Sequence, residues 1–167
     1  MKLLVLGYGR HGKDTVCEIL KDKFNLDFQS SSEFCAKLFI YNELKDKYGY
    51  NNYQECYTDR HNHRAEWFDM IHDYCKHDLA RLGRNIFEEH DIYCGLRNKD
   101  EMSAMKAQGI YDYSVWVDRS QHLAPEDGSS MNITSDMADF IIDNNDTVAE
   151  LNNNVGLFMS QIGSAGE

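Results

Sequence analysis

The chain has 167 residues, with 17 Lys and Arg against 28 Asp and Glu, and this formal net charge of -11 argues against a broad electrostatic contact with nucleic acid. No apolar run approaches the roughly 18 residues of a membrane span, and Met1 leads into a short apolar strand rather than a signal sequence, so we expect a soluble, cytoplasmic domain without a membrane segment. Five cysteines without a C-x-x-C pair favour reduced thiols over a disulfide framework.

A glycine-rich segment follows the first predicted strand, which is the apolar run Leu3–Leu6. Gly7, Gly9 and Gly12 match the dinucleotide-binding pattern G-x-G-x-x-G, whereas Gly7, Gly12 and Lys13 match the P-loop pattern G-x-x-x-x-G-K. Glycines are suited to a phosphate-binding turn because backbone N–H groups reach an anion where no Cβ intervenes. The segment therefore predicts a phosphate site with two alternative ligands.

Lys13 favours the P-loop interpretation, because a P-loop uses this ammonium group to neutralise the β- and γ-phosphates. The Ser or Thr that usually follows it to hold Mg²⁺ is replaced by Asp14, and Thr15 comes one position later. Apolar residues at helical spacing predict a helix over residues 12–24. Its N-terminus would point at the same anion, so the helix dipole would add to the site.

The next segment predicts a short strand over residues 26–28 and a long helix over residues 30–47. A serine caps this helix, Glu33 lies in its first turn, and Gly49 ends it. Residues 53–57 predict a further short turn of helix.

The segment from residue 58 to residue 68 predicts the start of another helix. Arg60 and Arg64 are four positions apart, so they would share one helical face. Two interpretations stay open. The guanidinium groups grip a phosphate, or they pair with Asp59 and Glu66 on a solvated helix start.

Three further strands are predicted at residues 91–96, 113–117 and 138–142, alternating with helices. Strands that alternate with helices predict an α/β fold with about five parallel strands and helices on both faces of the sheet. Arg97 and Arg119 follow two of these strands, so both would lie at the carboxyl edge of the sheet, beside the glycine-rich segment.

The polar residues 120–135 predict a loop, which is either a lid over a bound nucleotide or a surface crossover. A closing helix is predicted from residue 148. We expect a single domain over residues 1–162 and a disordered tail over residues 163–167.

Four segments resemble the deoxynucleoside monophosphate kinases of bacteriophages and their P-loop kinase relatives. They are residues 3–15, in which Gly12-Lys13-Asp14-Thr15 gives the family's common G-K-D-T ending, and residues 92–101, 114–119 and 141–151. The resemblance implies a three-layer P-loop kinase fold, the cofactors ATP and Mg²⁺, a nucleotide substrate and a possible homodimer. It also implies the cytoplasm, which is that of the host if a phage encodes the chain.

The resemblance also implies roles for individual residues. The ATP site would consist of Gly7, Gly9, Arg10, His11, Gly12, Lys13, Asp14 and Thr15. Asp14 and Thr15 would help to hold Mg²⁺, and the charges of Arg97 and Arg119 would stabilise the transferring phosphoryl group. Arg60 and Arg64 lie outside the segments that carry the resemblance, and we expect them to bind an acceptor phosphate if the chain is a kinase. The family often has an aspartate two residues before the arginine, where this chain has Gly95, which leaves Asp118 as a further metal candidate.

Three alternatives accompany a monophosphate acceptor. The acceptor is instead the hydroxyl of 5-hydroxymethyluracil in DNA, as in related phage kinases, and Glu33 or Asp59 takes its proton. A protein of another class binds NAD, with Asp27 on the ribose, about 20 residues after the glycines. The last alternative is a nucleotide-binding partner protein without catalysis.

Overall fold

A computed structural model describes residues 1–165 and contains one sheet of five parallel strands in the order β2-β3-β1-β4-β5. The strands are β1 (Leu3–Leu6), β2 (Phe28–Ser30), β3 (Ile92–Cys94), β4 (Tyr113–Asp118) and β5 (Phe140–Asp143). The predicted α/β class and the predicted number of strands are confirmed.

Within residues 1–165, eight α-helices connect and cover the strands. They are α1 (Lys13–Phe24), α2 (Ser31–Cys35), α3 (Tyr41–Tyr48), α4 (Tyr53–Asp59), α5 (Arg64–Cys75), α6 (Arg81–Glu89), α7 (Lys99–Ala107) and α8 (Val148–Ala165). A π-helical turn, Ala36–Ile40, joins α2 to α3, so the long helix predicted here is present. Ser30 caps it by accepting a hydrogen bond from the Glu33 backbone N–H at 3.3 Å, and Gly49 ends it in the left-handed conformation.

The sheet lies between two helical layers, because successive β1 side chains point to opposite faces. Leu3 and Val5 belong to a core with α1 and α8, whereas Leu4 and Leu6 belong to a core with the helices from α2 to α7. The three-layer architecture that the resemblance implies is therefore present. None of the helices in the described part of the chain is long and apolar enough to cross a membrane.

The carboxyl edge of the sheet brings together three features that are distant in sequence. The glycine-rich loop follows β1, Arg97 follows β3 by three residues, and Arg119 follows β4 directly. Asp27 instead precedes β2 and accepts a hydrogen bond from His90 Nδ1 at 2.5 Å, at the opposite edge. The pairing of Asp27 with a ligand in the glycine-rich loop, which the NAD alternative needs, is therefore wrong.

Several predicted boundaries shift, including those of β2, β3, β5 and the C-terminal helix. β2 begins at Phe28 rather than at residue 26, because Leu26 belongs to the turn that follows the left-handed Asn25. The disordered tail was expected from residue 163, but α8 continues to Ala165, and Gly166 and Glu167 lie outside the described residues.

Candidate active site

The glycine-rich loop has a backbone that only glycine adopts easily. The φ angles are 151° at Gly7 and 99° at Gly12, both in the region that side chains disfavour. A Cβ on Gly7 would also lie 2.8 Å from the carbonyl oxygen of Val117 in β4. Lys13 Nζ donates a hydrogen bond to the carbonyl oxygen of Tyr8 at 3.0 Å, which holds the ammonium group across the loop. The loop thus presents its amides and one ammonium at the start of α1.

His11 ties this loop to the ends of β4 and β5. Its ring is fully buried, and Nδ1 accepts a hydrogen bond from the Arg119 backbone N–H at 3.0 Å. Its carbonyl oxygen accepts a hydrogen bond from Asn144 Nδ2 at 2.9 Å. The His11 side chain therefore anchors the predicted ATP loop from inside the protein, whereas Arg10 lies exposed with a φ of 67°.

A cavity of about 500 Å³ opens beside Lys13, within the size range of small-molecule sites. Its walls come from the starts of α1, α2 and α7, from α5, and from the loop between β4 and β5. Basic side chains from three parts of the chain line it, namely Lys13, Arg60 and Arg97. The cavity thus extends from the end of the glycine-rich loop to the face of α5 that carries Phe68, Ile71 and His72.

The Lys13 ammonium group is partly buried and would be stabilised by an anionic ligand. Burial lowers its pKa, and the positive charge of Arg97 acts in the same direction, whereas the charges of Asp14 and Glu126 oppose this effect. Buried cationic groups gain most from a ligand that supplies negative charge. A phosphate beside Lys13 would therefore favour the charged ammonium form.

Glu126, in the loop between β4 and β5, occupies the position expected for such an anion. Its carboxylate accepts two hydrogen bonds from Arg97, at 2.7 Å from Nη1 and 3.2 Å from Nη2. Oε1 also lies 2.8 Å from the place where a Cβ on Gly9 would be. Burial acts to raise the pKa of Glu126, but Arg97, the Gly9 amide and Lys13 together lower it. A phosphate between Gly9, Lys13 and Arg97 would have to displace this carboxylate.

The loop that carries Glu126 is anchored at both ends and extends over the cavity. At one end the Gln121 backbone N–H donates to Asn145 Oδ1 at 3.0 Å. At the other end the Asn132 backbone N–H donates to the Arg97 carbonyl oxygen at 3.2 Å, and Asn132 Oδ1 accepts from the Lys99 backbone N–H at 2.7 Å. Part of this loop therefore lines the cavity, as a lid would. Whether it closes over a bound nucleotide stays a prediction.

Arg119 and Asp118 lie at the β5 side of the site and do not line the cavity. Arg119 Nη1 donates to the Asn144 carbonyl oxygen at 3.1 Å, which directs the guanidinium group toward the loop after β5. Asp118 accepts a hydrogen bond from the Ser120 backbone N–H at 3.0 Å. Of the two arginines predicted to stabilise the transferring group, the structure brings only Arg97 beside Lys13.

Mg²⁺ is commonly held by one or two carboxylates together with substrate phosphates and water. Asp14 fits this pattern, because it is exposed in the first turn of α1 and lines the cavity beside Lys13. Its Oδ1 accepts only a weak contact from Cys94 Sγ at 3.6 Å. Thr15 is exposed but does not line the cavity. Within residues 1–165, no group of three or more His, Cys, Asp or Glu side chains could hold a metal without such a substrate.

Arg60 and Arg64 are separated by a helix boundary. Arg60 belongs to a 3₁₀ turn, with its guanidinium carbon 3.9 Å from the centre of the Tyr57 ring and Nη1 donating to the Tyr57 carbonyl oxygen at 2.8 Å. Arg64 is the first residue of α5, and it is exposed and outside the cavity. The prediction that the two share one helical face is wrong, and only Arg60 faces the cavity.

Glu33 and Asp59, the predicted proton acceptors, also lie away from the cavity. Glu33 on α2 pairs with Lys37 in the following π-helical turn, at 3.7 Å. Asp59 accepts hydrogen bonds from Tyr50 at 2.6 Å and Asn62 at 2.6 Å, and these bonds lower its pKa to about 2. A carboxylate that is held in this way is a weak base and serves the turn between α4 and α5.

Comparisons with solved structures place this geometry in a known fold. A shikimate kinase from Aquifex aeolicus is 14% identical over 99% of this chain and 98% of that chain, with a TM-score of 0.57. A shikimate kinase from Bacteroides thetaiotaomicron is 12% identical over 98% of both chains, with a TM-score of 0.52. The chain has a P-loop kinase fold. No protein-family model matches the sequence, and a search of curated proteins finds no match.

The sheet order separates this fold from the dinucleotide-binding fold. In the chain, β3 lies between β1 and β2, whereas strands 1 and 2 are neighbours in the dinucleotide-binding order 3-2-1-4-5-6. The glycine motif therefore belongs to a P-loop, as Lys13 predicts.

Glu126 and Glu101 are among the carboxylates of the site that the sequence did not predict as site residues. Glu126 lies in the polar loop and is 29 residues from its partner Arg97. Glu101 lies in the first turn of α7, where an acidic residue is ordinary, and it lines the cavity. Neither position carries a local signal, because each acquires its surroundings only through folding.

Proposed function

We propose that the chain is an ATP-dependent kinase whose acceptor is a small nucleotide, foremost a deoxynucleoside monophosphate. One observation carries the proposal, which is that a single cavity has Lys13 of the P-loop, Arg97 and Arg60 on its walls. Three cationic side chains in a protein of net charge -11 indicate that this cavity receives an anionic ligand on more than one side.

The residues divide the work of phosphoryl transfer by position. The amides of the loop from Gly7 to Gly12 and the Lys13 ammonium group bind the phosphates of ATP. Arg97, once Glu126 releases it, donates hydrogen bonds to the transferring group as its charge redistributes. Arg60 binds the acceptor phosphate. Asp14 would help to hold Mg²⁺, which would supply positive charge beside the phosphates. An acceptor phosphate is already ionised, so this reaction needs no general base.

A second candidate acceptor is a hydroxyl group, including that of 5-hydroxymethyluracil in DNA. The observation that favours it is the presence of Asp14, Asp100 and Glu101 on the cavity wall, because a hydroxyl acceptor benefits from a carboxylate that takes its proton. The chain's net negative charge weighs against DNA, so a modified base would have to enter the cavity alone.

Transfer of label from γ-labelled ATP to four deoxynucleoside monophosphates and to hydroxymethylated DNA tests the proposal. We expect label in at least one monophosphate. Label in DNA alone would replace the monophosphate acceptor by the hydroxyl acceptor. Label in neither, with ATP bound, would contradict the kinase proposal in both forms and leave a nucleotide-binding protein.

A further inference from the structure

Glu101 is the carboxyl group on the cavity wall that has the least contact with solvent. It lies in the first turn of α7, half-buried, whereas Asp14 and Asp100 are exposed. Its titratable neighbours include the Cys75 thiol, His72 and Tyr93, and none of the ion pairs in residues 1–165 includes it. A half-buried carboxyl group at a cavity wall, with no cation paired to it, has oxygen atoms that can accept hydrogen bonds from a ligand.

The wall beside Glu101 is aromatic and apolar. Phe68 lines the cavity although 66% of it is exposed, and its ring is nearly parallel to that of His72, at 11° with 6.2 Å between centroids. Ile71 adds an aliphatic side chain to the same wall. An exposed aromatic ring at a cavity suits a flat ligand ring that stacks on it.

We propose that the acceptor carries a heteroaromatic base, that Phe68 stacks on this base, and that Glu101 binds its hydrogen-bonding edge and thereby determines base selectivity. This inference deepens the proposed function and rests on it. The phosphate of the same acceptor would lie at Arg60, which lines the same cavity as Lys13 and so faces the phosphates of ATP. A sugar acid would lack the flat ring, and its carboxylate would be repelled by an ionised Glu101.

The chemistry of a carboxyl group matches the edge of a nucleobase. Burial raises the pKa of Glu101, while Cys75 and His72 act in the opposite direction. An ionised carboxyl group accepts two N–H bonds, whereas the amide of Gln at the same place accepts one hydrogen bond and donates one. The ionised Glu101 therefore distinguishes bases by the order of their donors and acceptors, and a mismatch leaves a polar group unpaired.

The test compares all four deoxynucleoside monophosphates by kcat/KM, and the four unphosphorylated deoxynucleosides by equilibrium binding, which needs no ATP. In Glu101→Gln we expect the ratio of kcat/KM between the preferred monophosphate and the next best to change by about tenfold or more. The reason is that the Gln amide donates a hydrogen bond where the carboxylate accepts one. Phe68→Ala should weaken binding of all four deoxynucleosides alike, by about tenfold, through lost stacking. The matched control is Glu88→Gln, which removes the same charge from an exposed site on α6 outside the cavity.

The outcomes separate this inference from the proposed function. An equal effect of Glu101→Gln on all four bases, or no effect, overturns the role of Glu101 even if the monophosphates are phosphorylated. Base-selective deoxynucleoside binding that Glu101→Gln changes supports the inference even if no label reaches a monophosphate. Unchanged binding in Phe68→Ala overturns the stacking. Thermal unfolding checks each variant, and Glu101→Asp, which withdraws the carboxyl group by one methylene, replaces Glu101→Gln if the latter does not fold.

Discussion

Lys13 is the residue on which the assignment of the glycine-rich loop depends. Lys13→Ala is expected to lower kcat for phosphoryl transfer by about a thousandfold or more, because a charge that stabilises the reacting phosphates contributes several kcal/mol to the transition state. Stability should change little, because the ammonium group makes only one hydrogen bond, to the Tyr8 carbonyl oxygen. Label transfer and thermal unfolding measure the two effects. The control is Lys23→Ala, at an exposed position in the last turn of α1. Full activity of Lys13→Ala would remove the P-loop assignment.

Asp59 provides a prediction about stability and pH at the turn between α4 and α5. Hydrogen bonds from Tyr50 and Asn62 lower its pKa to about 2, below an unfolded value of about 3.9. A depressed pKa means that its stabilising effect is present above pH ~4 and is lost as the pH falls toward about 2. Asp59→Asn should therefore unfold at a lower urea concentration than the wild type at pH 7, with a difference that shrinks below pH ~4. Asp46→Asn, at an exposed site on α3, should show no such pH dependence.

Local spacing identified Lys13 and Arg97, because a motif or a strand end next to them in sequence fixes their position. Glu126 and Glu101 could not be found in this way. Glu126 meets Gly9 and Arg97 only because three connections return to one edge of the sheet. The sequence predicted Asp59 as a proton acceptor because its hydrogen bond from Tyr50 is not visible in local spacing. That bond joins residues nine positions apart and forms only when the chain folds.

At the scale of elements, two helical glycines should respond in opposite directions to alanine. At Gly83 of α6, a Cβ would overlap the side chain of Met105 in α7, which is 1% exposed. Overpacking should make Gly83→Ala less stable by about 1–3 kcal/mol. In Gly156 of α8, a Cβ meets nothing within 4 Å, so Gly156→Ala should be more stable by about 0.5–1 kcal/mol through helix propensity. Urea unfolding measures both, and equal effects would contradict the packing of α6 against α7.

The loop between β4 and β5 should compete with ATP through Glu126. Glu126→Gln keeps the shape of the side chain but removes the charge that pairs with Arg97, so we expect KM for ATP to fall severalfold while kcat stays within about twofold. Asp127→Asn makes the same charge change one residue later, at an exposed position, and should leave KM unchanged. A fall in kcat at constant KM would instead mean that Glu126 holds Arg97 in its productive position.

Helix boundaries explain why the arginine pair was predicted wrongly. The apolar spacing of Trp67, Phe68 and Ile71 predicts a helix that was extended back to residue 58, but a 3₁₀ turn at Arg60–Asn62 separates α4 from α5. Spacing defines the apolar face of α5 from Trp67 onward and gives no information about where the first turn begins. β1 and α1 were predicted within one residue, since glycines mark both of their adjoining ends.

For the whole molecule, apolar runs predicted how many strands the sheet has but not their order. Each of the five strands is short and buried on at least part of its length, so nothing in a single run says which neighbour it pairs with. The position of β3 between β1 and β2 is therefore the structural fact that decides between two nucleotide-binding folds with similar glycine motifs.

A P-loop fold should be stabilised as a whole by ATP and not by NAD. A ligand that binds only the folded state at 100 times its Kd stabilises it by about 2.7 kcal/mol. For a domain of this size we expect Tm to rise by about 5–10 °C with ATP, because each kcal/mol shifts Tm by about 2–4 °C. NAD at the same concentration should leave Tm unchanged, since Asp27 lies at the opposite edge of the sheet from the glycine-rich loop. Differential scanning calorimetry makes the comparison, with Lys13→Ala as the variant in which the ATP shift should shrink. An equal rise with NAD would show that the loop binds any pyrophosphate and that Lys13 does not select the triphosphate.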